Sequence, residues 1–133
     1  MAQPVLPRPT DAELAILRVL WSKRPSTVRQ VHDVITNGRD LAYTTVLKLL
    51  QIMTDKGLTT REALGLQYVY TARRTVQDTQ RQLVKDLLDR AFDGSTSQLV
   101  MQALATTAAS PEELKEIRRL LTAASAASKE KKP

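Results

Sequence analysis

Residues 41–57 read LAYTTVLKLLQIMTDKG and predict one helix with two different faces. Apolar residues recur there at intervals of three and four, which predicts a buried stripe made of Val46, Leu49, Leu50 and Met53. The start of the helix carries hydroxyls, a methyl group and a cation instead, on Tyr43, Thr44, Thr45 and Lys48. Such groups read base edges and phosphates in the major groove of DNA. We therefore interpret the segment as a DNA recognition helix.

The composition agrees with a small, mainly helical protein. A length of 133 residues suits one or two small domains. One Phe, one Trp and three Tyr leave a core of aliphatic side chains, which favours helices over a sandwich. The absence of Cys excludes disulfides, thiolate metal sites and a Cys nucleophile. Because no apolar run resembles a signal peptide or a membrane span, we expect a cytoplasmic, unprocessed protein.

The net charge of +6 is concentrated in the first half of the chain. Residues 1–74 contain eleven Lys and Arg against six Asp and Glu, whereas residues 75–133 contain nine against eight. A positive surface of this kind is typical of a phosphate-binding face, although it also occurs on proteins that bind no nucleic acid. Charge supports the DNA-binding interpretation without establishing it.

Two short helices precede the recognition helix. A capping box at residues 10–13 starts the first, which ends near Ser22. Ser26 or Thr27 caps the second, and Asn37-Gly38 stops it. Their apolar stripes are Leu14, Leu17, Leu20 and Trp21 in the first, and Val28, Val31 and Ile35 in the second. This order of helices predicts a helix-turn-helix unit.

After Gly57 the spacing of apolar residues changes from a helical to a strand-like pattern, which predicts a β-hairpin wing. Residues 58–62 and 67–71 are the expected strands, joined by a four-residue loop, residues 63–66, with Gly65 at the positive-φ position. Arg61 is the nearest cation able to reach a phosphate. Tyr68 and Tyr70 share one face of the second strand, and for Tyr70 we favour a place in the core.

The remaining sequence predicts three short helices with a thin core. Asp93-Gly94 ends the first of them, Ser95 or Ser97 starts the next, and residues 110–113 give a strong start signal for the last. Because so few apolar residues cannot enclose a core alone, two copies are expected to pack together through Leu87, Leu88, Phe92, Leu99, Leu114, Ile117 and Leu121.

Four segments follow from these patterns. We expect a flexible N-terminus at residues 1–9, a winged-helix DNA-binding domain at 10–74, a helical dimerisation domain at 75–122 and a disordered tail at 123–133. The tail is expected to be disordered because it consists of small residues followed by charged ones.

Several blocks of the chain, in order, resemble the penicillinase repressor family of the BlaI/MecI type. They are Asp11-Ala12-Glu13-Leu14, Val19-Leu20-Trp21, Thr27-Val28-Arg29-Gln30-Val31, Leu41-Ala42-Tyr43-Thr44-Thr45-Val46, Lys56-Gly57-Leu58, Arg61-Glu62, Tyr68, Tyr70, Leu87-Leu88-Asp89-Arg90, Phe92-Asp93-Gly94-Ser95, Leu99-Val100 and Ser110-Pro111-Glu112-Glu113-Leu114. The resemblance implies a dimeric winged-helix repressor of inverted-repeat operators with TACA/TGTA-like half-sites. It implies that Thr44 and Thr45 touch thymine methyls or adenine edges, that Lys48 holds a phosphate, and that Arg61 acts from the wing.

Two departures from the family pattern bear on function. The tip of the wing, residues 63–66, is apolar where the family is usually charged, and Val69 stands where a cation is common. In β-lactam-responsive members derepression follows cleavage of an Asn-Phe bond, and the matching pair here is Gln102-Ala103. The resemblance suggests a membrane-bound sensor protease as a partner. The Gln102-Ala103 pair argues against such a partner, because the Asn-Phe bond that is cleaved in those members is missing here.

Two other function classes compete with the repressor. An enzyme is poorly supported because the chain has one His, His32, with no nucleophile beside it, and no Gly-rich phosphate loop. We expect His32 to be an ordinary exposed imidazole, and the residues indicate no cofactor. A winged-helix adaptor that binds protein without specific DNA binding is the second alternative. The salt dependence of binding would distinguish the two. A repressor that contacts several phosphates binds much more weakly as salt rises, whereas an adaptor with an apolar protein interface does not.

Overall fold

The computed structural model describes residues 7–35 and 41–130 and shows a mainly helical chain with a two-stranded antiparallel hairpin. Its elements are α1 (Asp11–Lys23), α2 (Val28–Ile35), α3 (Tyr43–Lys56), β1 (Thr59–Leu64), β2 (Gln67–Ala72), α4 (Val76–Ala91), α5 (Thr96–Thr106) and α6 (Pro111–Glu130). The predicted fold class is confirmed. Among these described helices none is long and apolar enough to cross a lipid bilayer.

Reciprocal capping boxes begin three of the helices. At α1 the Glu13 backbone N–H donates to the Thr10 hydroxyl at 3.2 Å, and the Thr10 N–H donates to the Glu13 carboxylate at 2.9 Å. Thr27 and Gln30 repeat the pattern at α2, so Thr27 is the cap of that helix. Ser110 and Glu113 repeat it at α6. The predicted stop at Asn37-Gly38 lies outside the described residues.

The core of the winged-helix unit lies between α1, α2, α3 and the hairpin. Its buried apolar residues are Ile16, Leu17, Val19, Leu20, Val28, Val31, Ile35, Val46, Leu50, Met53, Leu58 and Tyr70. Tyr70 is 1% exposed, which confirms the prediction that it lies in the core. An isolated bridge joins its strand to Ser26 through backbone bonds of 2.8 and 3.0 Å, so the hairpin is attached to the segment just before α2.

The hairpin has a shorter loop than the sequence predicts. Ala63 pairs with Tyr68 and Leu64 with Gln67, which leaves only Gly65 and Leu66 in the turn. The expected four-residue loop is therefore wrong, because its first two residues extend the strand ladder. Gly65 has a φ of +64°, which confirms the predicted positive-φ position. A two-residue turn needs that conformation at its first position to match the twist of the strands.

The chain divides into two compact units, residues 1–86 and 87–133, so the division falls within α4. The sequence pattern predicted a boundary between residues 74 and 75, before this helix. The part of α4 up to Asp86 belongs with the winged helix because Thr79 is buried and Asp86 forms an ion pair with Arg8.

The second unit has no buried side chain between residues 87 and 128. Its last helix continues to Glu130, through residues that the composition predicted to be a disordered tail. The difference has a local reason: residues 123–130 contain Ala, Ser, Lys and Glu without Gly or Pro, and Ala, Lys and Glu are strong helix formers.

A buried carboxylate joins the start of α1 to the end of α3. Glu13 is 1% exposed, and the Lys56 ammonium donates to its second oxygen at 2.8 Å. Burial alone would raise the pKa of Glu13. Hydrogen bonds from Lys56 and from Thr10, together with the charge of Lys56, outweigh burial and hold the pKa below its ordinary value of 4.5.

We predict that Lys56→Met destabilises the protein by about 1–3 kcal/mol at pH 7, because the buried carboxylate loses its cation. The folded-state pKa of Glu13 is depressed, so the ion pair contributes fully above pH 4.5 and is lost as pH falls through the lower folded-state value. Urea unfolding from pH 7 downward measures the free energy of unfolding of both proteins. The difference between the variant and the unmodified protein should shrink in acid. Lys48→Met, an exposed cation on the same helix, is the control and should show no such difference.

Candidate nucleic-acid interface

The recognition helix presents its predicted polar residues to solvent. Tyr43, Thr44, Thr45 and Lys48 are all exposed, and Tyr43 is 40% exposed. On the other side of the helix Val46, Leu50 and Met53 are each 0% exposed. Since successive residues are about 100° apart around a helix, burial of this stripe directs Thr44, Thr45 and Lys48 outward together.

His32 holds the segment that leads into α3. Its Nε2 donates to the Leu41 carbonyl at 2.9 Å, and its ring meets the Tyr43 ring edge-on with centroids 5.8 Å apart. The expectation of an ordinary exposed imidazole is wrong, because the His32 side chain is only 24% exposed. Its partners are nine and eleven residues away, which a local pattern cannot reveal. His32 thus positions the start of the recognition helix.

Arg29 is a cation of this surface that sequence reasoning missed. Its guanidinium carbon lies 5.7 Å from the centroid of the Tyr43 ring. The sequence contained one signal for this role of Arg29. Arg29 lies two residues after the Thr27 cap and therefore on the first turn of α2, beside the start of α3. The contact brings a positive charge next to the Tyr43 ring.

The wing adds a second cation on an aromatic ring. The Arg61 guanidinium carbon lies 4.2 Å from the centroid of the Tyr68 ring, and both side chains are exposed. Arg61 pairs with Tyr70 in the strand register, so it shares a sheet face with the tyrosine that enters the core. The cation–π contact holds Arg61 on the side of the wing that faces the helices.

A cleft of about 330 Å³ lies between the first turns of α2 and α3 and the wing. It is lined by Thr27, Val28, Arg29, Tyr43, Leu47, Leu66, Gln67, Tyr68 and Tyr70. Among the described residues that line it, there are a guanidinium, tyrosine hydroxyls and an amide but no acidic side chain. These are donors for anionic oxygens, and with the hydroxyls and cation of α3 they form a surface chemically suited to a nucleic acid duplex.

The predicted dimerisation residues lie in the second unit, and none is buried. Leu87 is 46% and Leu121 is 59% exposed. The other five are half-buried: Leu88, Phe92, Leu99, Leu114 and Ile117. Further apolar side chains of the unit are also exposed, among them Met101 at 58% and Leu104 at 42%.

Comparison with known proteins gives one family. The sequence model of the penicillinase repressor family matches residues 9–123. The chain is 35% identical to the transcriptional regulator BlaI of Mycobacterium tuberculosis over 97 residues, which are 72% of this chain and 70% of the relative. It is 23% identical to a penicillinase repressor of Bacillus licheniformis, over 87% of this chain and 91% of the relative. The methicillin resistance regulatory protein MecI of Mammaliicoccus sciuri is 20% identical over 84% and 91%.

We predict that His32→Ala loosens the first turn of α3. The variant loses a hydrogen bond, whose net contribution of about 1 kcal/mol corresponds to roughly fivefold faster local opening. Amide hydrogen exchange should therefore accelerate at Thr45 and Val46, whose N–H groups both bond to the Ala42 carbonyl. Val34→Ala, at an exposed position of α2, is the control. Unchanged exchange at these two amides in His32→Ala would contradict the positioning role.

Proposed function

This chain belongs to the penicillinase repressor family, and we propose that it is a dimeric repressor that binds inverted-repeat operators. Its relatives are named transcriptional regulators and repressors. The start of α3 enters the major groove of each half-site, and the wing contacts the flanking DNA. TACA/TGTA-like half-sites are the expected targets.

The observation that carries this proposal is the division of α3 into a fully buried apolar stripe and an exposed polar face. A helix of 14 residues is about 21 Å long, and a major groove about 12 Å wide admits its first two turns. We assign base readout to Thr44 and Thr45, whose methyl and hydroxyl groups suit thymine methyls and adenine edges. Tyr43 lies beside them, and we assign phosphate contacts to Lys48 and to Arg61 on the wing.

The dimer is supported by the absence of buried side chains between residues 87 and 128. Apolar side chains left in water on three helices gain stability when a second copy covers them. We assign the seam to Leu87, Leu88, Phe92, Leu99, Leu114, Ile117 and Leu121. A two-fold dimer presents two recognition helices in inverted orientation, which is the symmetry of an inverted-repeat operator.

The test is binding of the purified protein to a TACA/TGTA inverted repeat and to a scrambled duplex, each at low and near-physiological salt. Roughly a thousandfold preference that survives the higher salt is the expected result. Equal, salt-sensitive binding to both duplexes would reduce the protein to an electrostatic DNA binder. No binding to either would favour the protein-binding adaptor.

We predict that Thr44→Ala and Thr45→Ala each weaken operator binding by about 1–3 kcal/mol while leaving binding to random DNA unchanged. Lys48→Ala should weaken both alike and lower the log–log salt slope by about one. Titration of both duplexes over a salt series measures all three. Thr122→Ala and Lys115→Ala, both on the exposed surface of α6, are the matched controls. Equal losses on both duplexes for the Thr variants would remove them from base readout.

We predict that Leu114→Arg and Ile117→Arg convert the dimer to monomer, because each places a charge in an apolar seam. Sedimentation velocity over a concentration series measures the change. Ala123→Arg adds the same charge to an exposed position on the opposite side of α6 and should leave the dimer intact. A dimer that persists in both seam variants would show that these residues do not form the interface.

A further inference from the structure

The tip of the wing exposes two leucines, Leu64 at the end of β1 and Leu66 in the turn. Leu64 is 70% exposed and Leu66 is fully exposed, at a turn where residues 63–66 carry no charge. Hairpin turns are usually polar, and an apolar pair left in water at such a position is typical of a contact surface. The tip can form neither an ion pair nor a side-chain hydrogen bond, so whatever it contacts must offer apolar surface.

The surroundings of the tip indicate a polyanion as the partner. Leu66 lines the same cleft as Arg29 and Tyr43, so it lies on the side of the recognition helix. Arg61, stacked on Tyr68, is three residues before Leu64 on the same strand, or about 10 Å along it. A partner that contacts Leu66 and extends along the cleft side of the wing therefore lies beside two cations, which favours DNA over an apolar protein surface.

DNA offers apolar surface of the required kind in its minor groove. With α3 in the major groove, the phosphate ridge at the groove edge lies beside it, and the minor groove follows beyond. That groove is about 6 Å wide, too narrow for a helix but accessible to the side chains of a turn. Its walls are deoxyribose C–H groups, and leucine is among the residues that proteins insert there.

We propose that Leu64 and Leu66 pack against the deoxyribose walls of the minor groove flanking each half-site, while Arg61 holds a phosphate at the groove edge. This inference rests on the proposed repressor function. It attributes part of the protein's affinity for DNA to contacts that do not depend on salt. Apolar contacts release no counterions, so they strengthen binding without changing the salt slope.

The experiment begins with a duplex that the full-length wild-type protein selects from a random-sequence pool. Affinity for this duplex is then measured across a salt series for Leu64→Ala/Leu66→Ala, for Arg61→Ala and for Val34→Ala, a control at an exposed apolar position on α2. The double variant should bind roughly tenfold more weakly with an unchanged log–log salt slope. Arg61→Ala should lower the slope by about 0.9, the value for one phosphate contact.

Hydroxyl-radical footprinting supplies a second readout, because the radical attacks deoxyribose in the minor groove. Wild type and Val34→Ala should protect sugars flanking each half-site, and the double leucine variant should lose that protection while keeping protection within the half-site.

Wild-type affinity and an unchanged footprint in the double variant would overturn the inference and leave the tip as a candidate protein-docking surface. A fall in salt slope in that variant would also overturn it, because the loss would then be electrostatic. If the wild-type protein selects no sequence from the pool, the repressor proposal itself fails before any wing variant is tested, and this inference falls with it.

Discussion

Complete burial of three side chains on one helix governs the geometry of the winged-helix unit. Val46, Leu50 and Met53 are each 0% exposed, and each contributes about 1.5–3 kcal/mol by leaving water. Rotating α3 by one residue would expose this stripe and turn Thr45 towards the core. The exposed face of the helix is therefore determined by the residues that never meet solvent.

Contacts at both ends of α3 complete this arrangement. At the beginning, His32 of α2 donates to the Leu41 carbonyl and meets the Tyr43 ring. At the end, Gly57 adopts a φ of +86° and caps the helix, while Lys56 reaches the buried Glu13 of α1. Because α1 and α2 each hold one end, the helix has little freedom to tilt, and its side chains approach a ligand in a defined orientation. Preorganisation of this kind reduces the entropy lost on binding.

The two units of the chain meet the requirement for a hydrophobic core in different ways. Within the part of residues 1–86 that the structure describes, twelve apolar side chains are enclosed, whereas residues 87–128 bury none. A unit without a core gains too little from burial to offset the conformational entropy of ordering its chain. The helices of the second unit instead have good local signals, with side-chain caps at Ser95 and Ser110. Local signals define these helices, and their apolar faces remain available for association.

The amino-acid sequence by itself determined the order of the elements, the capping boxes at Thr10 and Ser110, the positive φ of Gly65 and the two faces of α3. These features depend on periodicity and on hydrogen bonds between residues three or four apart, so a local pattern contains them. Only the tertiary structure decided the partner of His32, the pairing of Glu13 with Lys56, the meeting of Arg29 with Tyr43 and the place of Leu66 on the cleft. Each of these joins residues that are distant in the sequence, and their proximity exists only once α1, α2, α3 and the wing have packed on one core.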